Sequence, residues 1–307
     1  MKKLIVLTIL LIFIPFVIAI YYNNNIKEIE LKYINNINIR VLRNKTDTII
    51  IIPLDVYIVG VLAGEMPISF DIEALKAQAV ASRSYAMKRI EYNKNNNYDV
   101  MDTIMNQVYL DDDYLKEAWG NSYVRNINKL RKAVNETLDE YVTYDDEIID
   151  AMFFSTSNGY TENVEDVFNF SLPYLRKVDS PWDKSISSAY KTSKIITLKD
   201  FYSNLELNYN KNLNVEIVKR SSSNRILLLN INNKEFKGTD VQNMLGLRSN
   251  DFEINLLGDS VKIDMYGYGH GVGMSQYGAL GMALNGYNYK EILEYYYTNT
   301  KVKKIIF

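Results

Sequence analysis

The 307-residue sequence contains no cysteine and a single histidine. Without cysteine there is neither a disulfide nor a thiolate metal site, and one imidazole cannot supply the cluster of a conventional zinc site. An excess of either charge is missing as well. Thirty-five Lys and Arg against 37 Asp and Glu leave a net charge of −2, which argues against nucleic acid as the main partner. No internal repeat is evident. What remains is an ordinary globular composition, 47% hydrophobic and 23% charged, with one extra apolar segment. The length suits one large domain or two modest ones.

The apolar segment lies at the start. Lys2-Lys3 precede an uncharged run from Leu4 to Tyr22 rich in Leu, Ile, Val and Phe. About 20 apolar residues span a bilayer, with the positive flank kept in the cytoplasm. A cleaved signal peptide is the rival reading. Val17-Ile18-Ala19 matches a small-x-small cleavage site poorly, and the run is long for a signal h-region, so an uncleaved anchor over 4–22 is favoured. This places the protein in the cell membrane as a single-pass protein with the rest of the chain outside the cytoplasm. Residues 23–38, polar and mixed in charge, suit a short stalk.

The remainder, 39–307, reads as α+β. Strands are expected at Ile37–Leu42 and Thr48–Ile52. A helix begins near Ser69, its plausible N-cap, and runs to about Arg89 with Ile72, Leu75, Ala79, Ser82 and Ala86 as a buried small-residue stripe; Lys76 and Arg83, seven apart, share another face. Asn93–Asn97 is a loop, Tyr114 to about Leu138 is helical, and Glu147–Phe154 reads as a buried strand ending in the polar turn Ser155–Gly159. Between Lys191 and Leu257 the pattern changes to short strands with one helix near Leu198–Leu205, consistent with a smaller strand-rich subdomain inserted into a mixed core.

Two segments carry candidate chemistry. In Val61–Pro67, Glu65 is a carboxylate among apolar and small residues. Desolvation there raises a carboxyl pKa, which suits a general acid; the bland alternative is a glutamate near a helix start, stabilised by the dipole and backbone amides. The second segment is Gly267–Gly278, where alternating glycines let backbone approach a ligand and adopt positive φ. It lacks the spacing and βαβ context of a dinucleotide loop, and no Gly-Lys-Ser/Thr follows to make a phosphate loop. His270 sits among those glycines, either as a structural imidazole or facing a ligand. Ser275 can cap a helix through Leu284, which Gly286 ends.

Three stretches resemble one family: Pro53–Asp55 through Gly64–Pro67 and Glu73–Tyr85; Phe153–Glu162 with Ser180–Asp183; and Gly269–Ala279 with Glu291–Leu293 and Tyr295–Tyr297. Together they resemble the sporulation D/amidase-enhancer family over roughly residues 40 to 305. The resemblance implies a membrane-anchored lytic transglycosylase that degrades septal peptidoglycan during engulfment in endospore formation, on the mother-cell side of the septum. Its substrate would be glycan strands stripped of stem peptides. Its partners would be a sporulation amidase (protein P) and a membrane partner (protein M). No cofactor is expected, and the lack of cysteine with a single histidine leaves no metal expected. The family's catalytic glutamate falls on Glu65. The expected substrate-binding set is Lys76, Arg83, Ser157, Tyr160, Arg248, His270, Ser275, Gln276 and Tyr277.

The sequence departs from the family in two places. Some relatives carry cysteine and histidine zinc ligands where Ser155, Tyr160 and Thr161 stand here, and relatives often have arginine at the position of Gln242. A plain hydrolase would need a second carboxylate across the scissile bond; Asp111-Asp112-Asp113 is a candidate, though a run of three acids is more often a solvated loop. The competing class is a non-catalytic glycan-binding enhancer of a partner amidase.

Overall fold

The computed structural model describes Leu11, Phe13, Ile14, residues 27–32 and residues 36–307. Apart from those three positions, the expected anchor over 4–22 lies outside the described residues. Among the described residues no helix is long and apolar enough to cross a membrane.

The chain is a mixed helix and strand fold with several small sheets. Strands β1 (Asn38–Arg43) and β2 (Thr48–Pro53) form a hairpin, and helix α1 (Leu54–Glu65) follows directly. From Val56 to Gly64 helix α1 carries no charged residue, and Tyr57–Leu62 are all buried, so it has no polar face to mark it as amphipathic. Helix α2 (Ile72–Tyr92) is the central element and packs on α1, on the later helices and on strand Glu140–Tyr144. Its buried residues between Ala74 and Ala86 include Ala74, Ala77, Ala79, Ala81, Ser82 and Ala86, and side chains this small let neighbours approach from several directions. Asp71, not Ser69, caps α2: its Oδ1 accepts from the Glu73 amide at 2.8 Å, while Ser69 lies in a turn closed by Phe70 N–H to Pro67 O.

The expected helix over Tyr114–Leu138 is two helices, α3 (Asp112–Trp119) and α4 (Tyr123–Asn135), broken where Gly120 adopts φ +46°. Asn128, Arg131 and Asn135 share one face of α4 and hold residues 27–32 against it. The Asn128 Oδ1 accepts from Ile29 N and its Nδ2 donates to Lys27 O; Asn135 does the same with Lys32 N and Glu30 O, and Arg131 pairs with Glu28 at 2.8 Å. This part of the expected stalk is therefore bound to the body of the protein. The expected strand over Glu147–Phe154 is interrupted: Glu147–Ile148 pairs with Glu140–Tyr144, whereas Phe153–Phe154 pairs in parallel with Met274–Ser275.

Two apolar clusters hold the fold. The larger gathers α1, α2 and α4 with Val272, Met274, Ala279 and the Tyr289–Tyr296 helix. The smaller runs from Leu198 to Met265 and sits among two three-stranded sheets, one of Val215–Arg220, Ile226–Ile231 and Lys234–Lys237, the other of Lys191–Thr197, Phe252–Leu257 and Ser260–Tyr266.

Candidate functional site

Glu65 is the last residue of α1, not a residue near a helix start. The unsatisfied carbonyls of a helix C-terminus place partial negative charge beside it, so the macrodipole disfavours its ionised form. Burial pushes its pKa up, opposed by two hydrogen bonds to the carboxylate, from Val108 N to Oε1 at 2.7 Å and from Gln276 Nε2 to Oε2 at a long 3.4 Å. The Val108 contact depends on Gly64. A Cβ there would stand 2.5 Å from the Val108 carbonyl oxygen, so only glycine lets the 107–110 segment lie along α1.

That segment continues toward a cleft of about 610 Å³ between the two apolar clusters. Asn106 Nδ2 donates to the Tyr85 hydroxyl at 3.0 Å, and Tyr57 donates to Gln107 Oε1 at 3.1 Å. The Glu65 charge helps to hold both tyrosine hydroxyls protonated, after burial. Tyr85, Arg89, Asn106, His270, Gln242 and Asn250 line the cleft, together with Met152, Phe153, Val167 and Phe168, which pack against the larger cluster.

His270 is a neutral imidazole. Burial first, then the nearby Arg225 cation, lowers its pKa to about 4, with a backbone hydrogen bond at Phe153 opposing. Its Nδ1 accepts from Val272 N at 3.1 Å, which leaves Nε2 as the protonated nitrogen. The glycine after it is sterically required: at Gly271 (φ +85°) a Cβ would stand 2.6 Å from Arg225 Nε, and two residues on, at Gly273 (φ +79°), one would meet the Met152 carbonyl oxygen at 2.0 Å.

Ser157 and Ser275 converge on Asp183. Ser157 N and Ser275 Oγ donate to its Oδ1 at 2.8 and 2.5 Å, and Ser180 Oγ donates to Oδ2 at 2.7 Å. Burial raises the Asp183 pKa against these donors. Ser275 also caps helix Gln276–Leu284 by accepting from Gly278 N. Both serines are fully buried, so they join the polar turn, the Ser180–Asp183 segment and the glycine-rich loop instead of presenting hydroxyls to a ligand. Tyr277 packs edge-on against Phe70 at 5.0 Å. Tyr160 is 39% exposed beneath the Lys177 ammonium, and Arg248 is exposed over the Tyr268 ring, both on the outer surface of the same loops.

Lys76 and Arg83 are placed elsewhere, against the expectation that they belong to the substrate-binding set: both are held in ion pairs away from Glu65. Arg83 is 1% exposed and pairs with Asp55 at 3.2 Å while donating to Thr137 O. Asp55 and Glu65 stand at opposite ends of α1, about 15 Å apart at 1.5 Å per residue. Lys76 bridges Glu73 and Glu136 at 2.8 and 2.6 Å. The acidic run is structural too: Asp111 caps α3 and pairs with Arg43, and Asp112 pairs with Lys116. Among the described residues no three His, Cys, Asp or Glu side chains are grouped to hold a metal ion.

Sequence reading missed Val108, which reaches Glu65 only by packing across α1, and Asn106 and Gln107 beside it, which bond Tyr85 and Tyr57. Tyr85 and Arg89 were within reach, since they continue α2 past Arg83.

Comparison with known proteins adds an independent line. The family described as SpoIID, stage II sporulation protein, matches residues 42–144. Stage II sporulation protein D of Bacillus subtilis (strain 168) is 40% identical over 275 residues, covering 87% of this chain and 79% of that protein. The protein of the same name from Bacillus amyloliquefaciens is 39% identical over 273 residues with the same coverage. The B. subtilis amidase enhancer is 28% identical over 295 residues, covering 78% of this chain and 39% of that protein.

Proposed function

The chain belongs to the stage II sporulation protein D family, and from that premise we propose that it is a lytic transglycosylase acting on the peptidoglycan of the sporulation septum. The observation that carries this reading is Glu65: one carboxyl, biased toward its protonated form by burial and by the helix end, and bonded to Val108, two residues from Asn106 in the wall of a cleft that mixes amide and hydroxyl groups with apolar side chains. In the reaction, Glu65 donates its proton to the glycosidic oxygen between N-acetylmuramic acid and N-acetylglucosamine as the C1–O bond breaks. As carboxylate it then takes the proton of the muramic C6 hydroxyl, whose oxygen bonds to C1 and closes a 1,6-anhydro ring. The proton returns to Glu65, no water enters, and one carboxyl suffices. Val108 N–H and Gln276 stabilise the carboxylate between the two transfers.

The preference for peptide-stripped strands, the amidase (protein P) and membrane (protein M) partners and the membrane anchor belong to this proposal. A second reading is favoured by the similarity to the amidase enhancer: a glycan-binding protein that activates a separate amidase without cutting glycan.

The full chain in detergent, wild type and Glu65→Gln, is incubated with amidase-treated peptidoglycan and the products are analysed by mass spectrometry. Anhydromuramic ends are expected from the wild type, reduced by about 10² to 10⁴ in rate in the variant. Reducing ends would indicate a hydrolase. Intact glycan, still bound, would favour the enhancer.

A further inference from the structure

Ile104 and Met105 are 89% and 74% exposed, the two most exposed large apolar side chains among the described residues. The loop that carries them is fixed. Asn106 accepts from Met101 N at 2.9 Å and donates to Tyr85, while its own N–H donates to Thr103 O. Two residues further on is Val108, the hydrogen-bond partner of Glu65. The loop is therefore a rigid rim holding apolar groups in water beside the site.

The surroundings identify what would cover them. On one side is the cleft, with Gln242, Asn243 and Asn250 in its far wall. On the other, sharing Met105, is a hollow of about 630 Å³ walled by Asn93 and Asn95–Asn97. The two exposed side chains thus stand between a cleft that mixes amides with the apolar Met152, Phe153, Val167 and Phe168 and a hollow walled mainly by asparagines. This arrangement fits a ligand that alternates small apolar surfaces with many hydrogen-bonding groups, as an N-acetylated sugar polymer does with its acetamido methyls and pyranose C–H faces.

We propose that Ile104 and Met105 form a ridge over which an N-acetylated glycan strand passes, extending its binding from the cleft into the Asn93–Asn97 hollow. This rests on the glycan-directed reading above but requires binding only, so it stands or falls separately from bond cleavage. The ridge makes affinity grow with strand length, because a short oligomer filling the cleft does not reach the hollow.

The test is calorimetric binding of N-acetylglucosamine trimer and hexamer, and of the fully de-N-acetylated hexamer, to the full chain in detergent. Glu65→Gln serves as the parent to prevent turnover, and it is compared with the same protein carrying Ile104→Ser and Met105→Ser. The parent should bind hexamer at least tenfold more tightly than trimer. The ridge variant should lose that increment with an unchanged melting temperature, since both side chains are exposed. The de-N-acetylated hexamer should bind the parent no better than the acetylated hexamer binds the ridge variant. Equal hexamer affinity in parent and ridge variant overturns the proposal, as does a parent that binds trimer and hexamer alike or neither. If the oligomers bind with the expected increment but peptidoglycan is not cut, the ridge stands and the transglycosylase reading fails.

Discussion

A carboxyl at the end of a helix, where the dipole opposes its charge, is poised differently from one at a helix start. Because the folded state raises the Glu65 pKa above its ordinary value of 4.5, ionising it costs stability as pH rises through and beyond that value. Glu65→Gln should therefore melt higher than the wild type at pH 7, with the gap closing below about pH 4; thermal melts across that range check it. His270 has the opposite sign. Its folded pKa of about 4 lies below the ordinary 6.5, so its contribution is complete above pH 6.5 and is lost as the pH falls toward 4. Relative to His270→Gln, the wild type should lose up to about 3 kcal/mol of unfolding free energy over that window, measured by denaturant titration. Of the candidate residues, Glu65 and His270 were legible because an ionisable group among apolar or glycine neighbours is conspicuous in a sequence. Arg83 was misleading for the same reason. A cation in a motif reads as functional, but whether it faces a ligand or a buried Asp55 depends on which end of α1 it meets.

Elements were legible where periodicity or a stop signal marks them. The hairpin of β1 and β2 and the helix from Gln276 to Leu284 with its Ser275 cap lie close to where alternation and capping chemistry put them. Helix α1 was not legible, because a helix buried on all sides has no polar face to set a 3.6-residue period. Its glycines are the sign of its packing. Gly60 and Gly64 both lie under the 108–110 segment, where a Cβ would come within 2.5 Å of a neighbour. Gly64→Ala should cost about 1–3 kcal/mol in stability by overpacking and should reduce activity further by lifting Val108 N–H off the Glu65 carboxylate. Activity assayed well below the variant's melting temperature separates the two effects.

At the scale of the molecule, the change of pattern after Lys191 corresponds in position to a second apolar cluster, but the sequence carried no trace of how it meets the first. The seam is polar. Asn158 donates to Ser223 O and Asp251, Glu162 accepts from Ser221 and Ser223, and the buried Arg225 donates to Gly269 O. Such contacts join residues 44 to 93 positions apart and leave no local signature. The clasp of α4 on residues 27–32 is equally hidden, since Asn128 and Asn135 are ordinary surface amides until the chain folds back over them. That clasp has a mechanical consequence. If residues 4–22 are embedded in a bilayer, only five peptide links separate Tyr22 from Lys27, where the clasp begins. Fully extended, they reach no further than about 18 Å. The protein would then work as a short-handled tool held against the lipid surface, trimming only those strands that lie within its own width of the membrane and advancing only as the membrane advances.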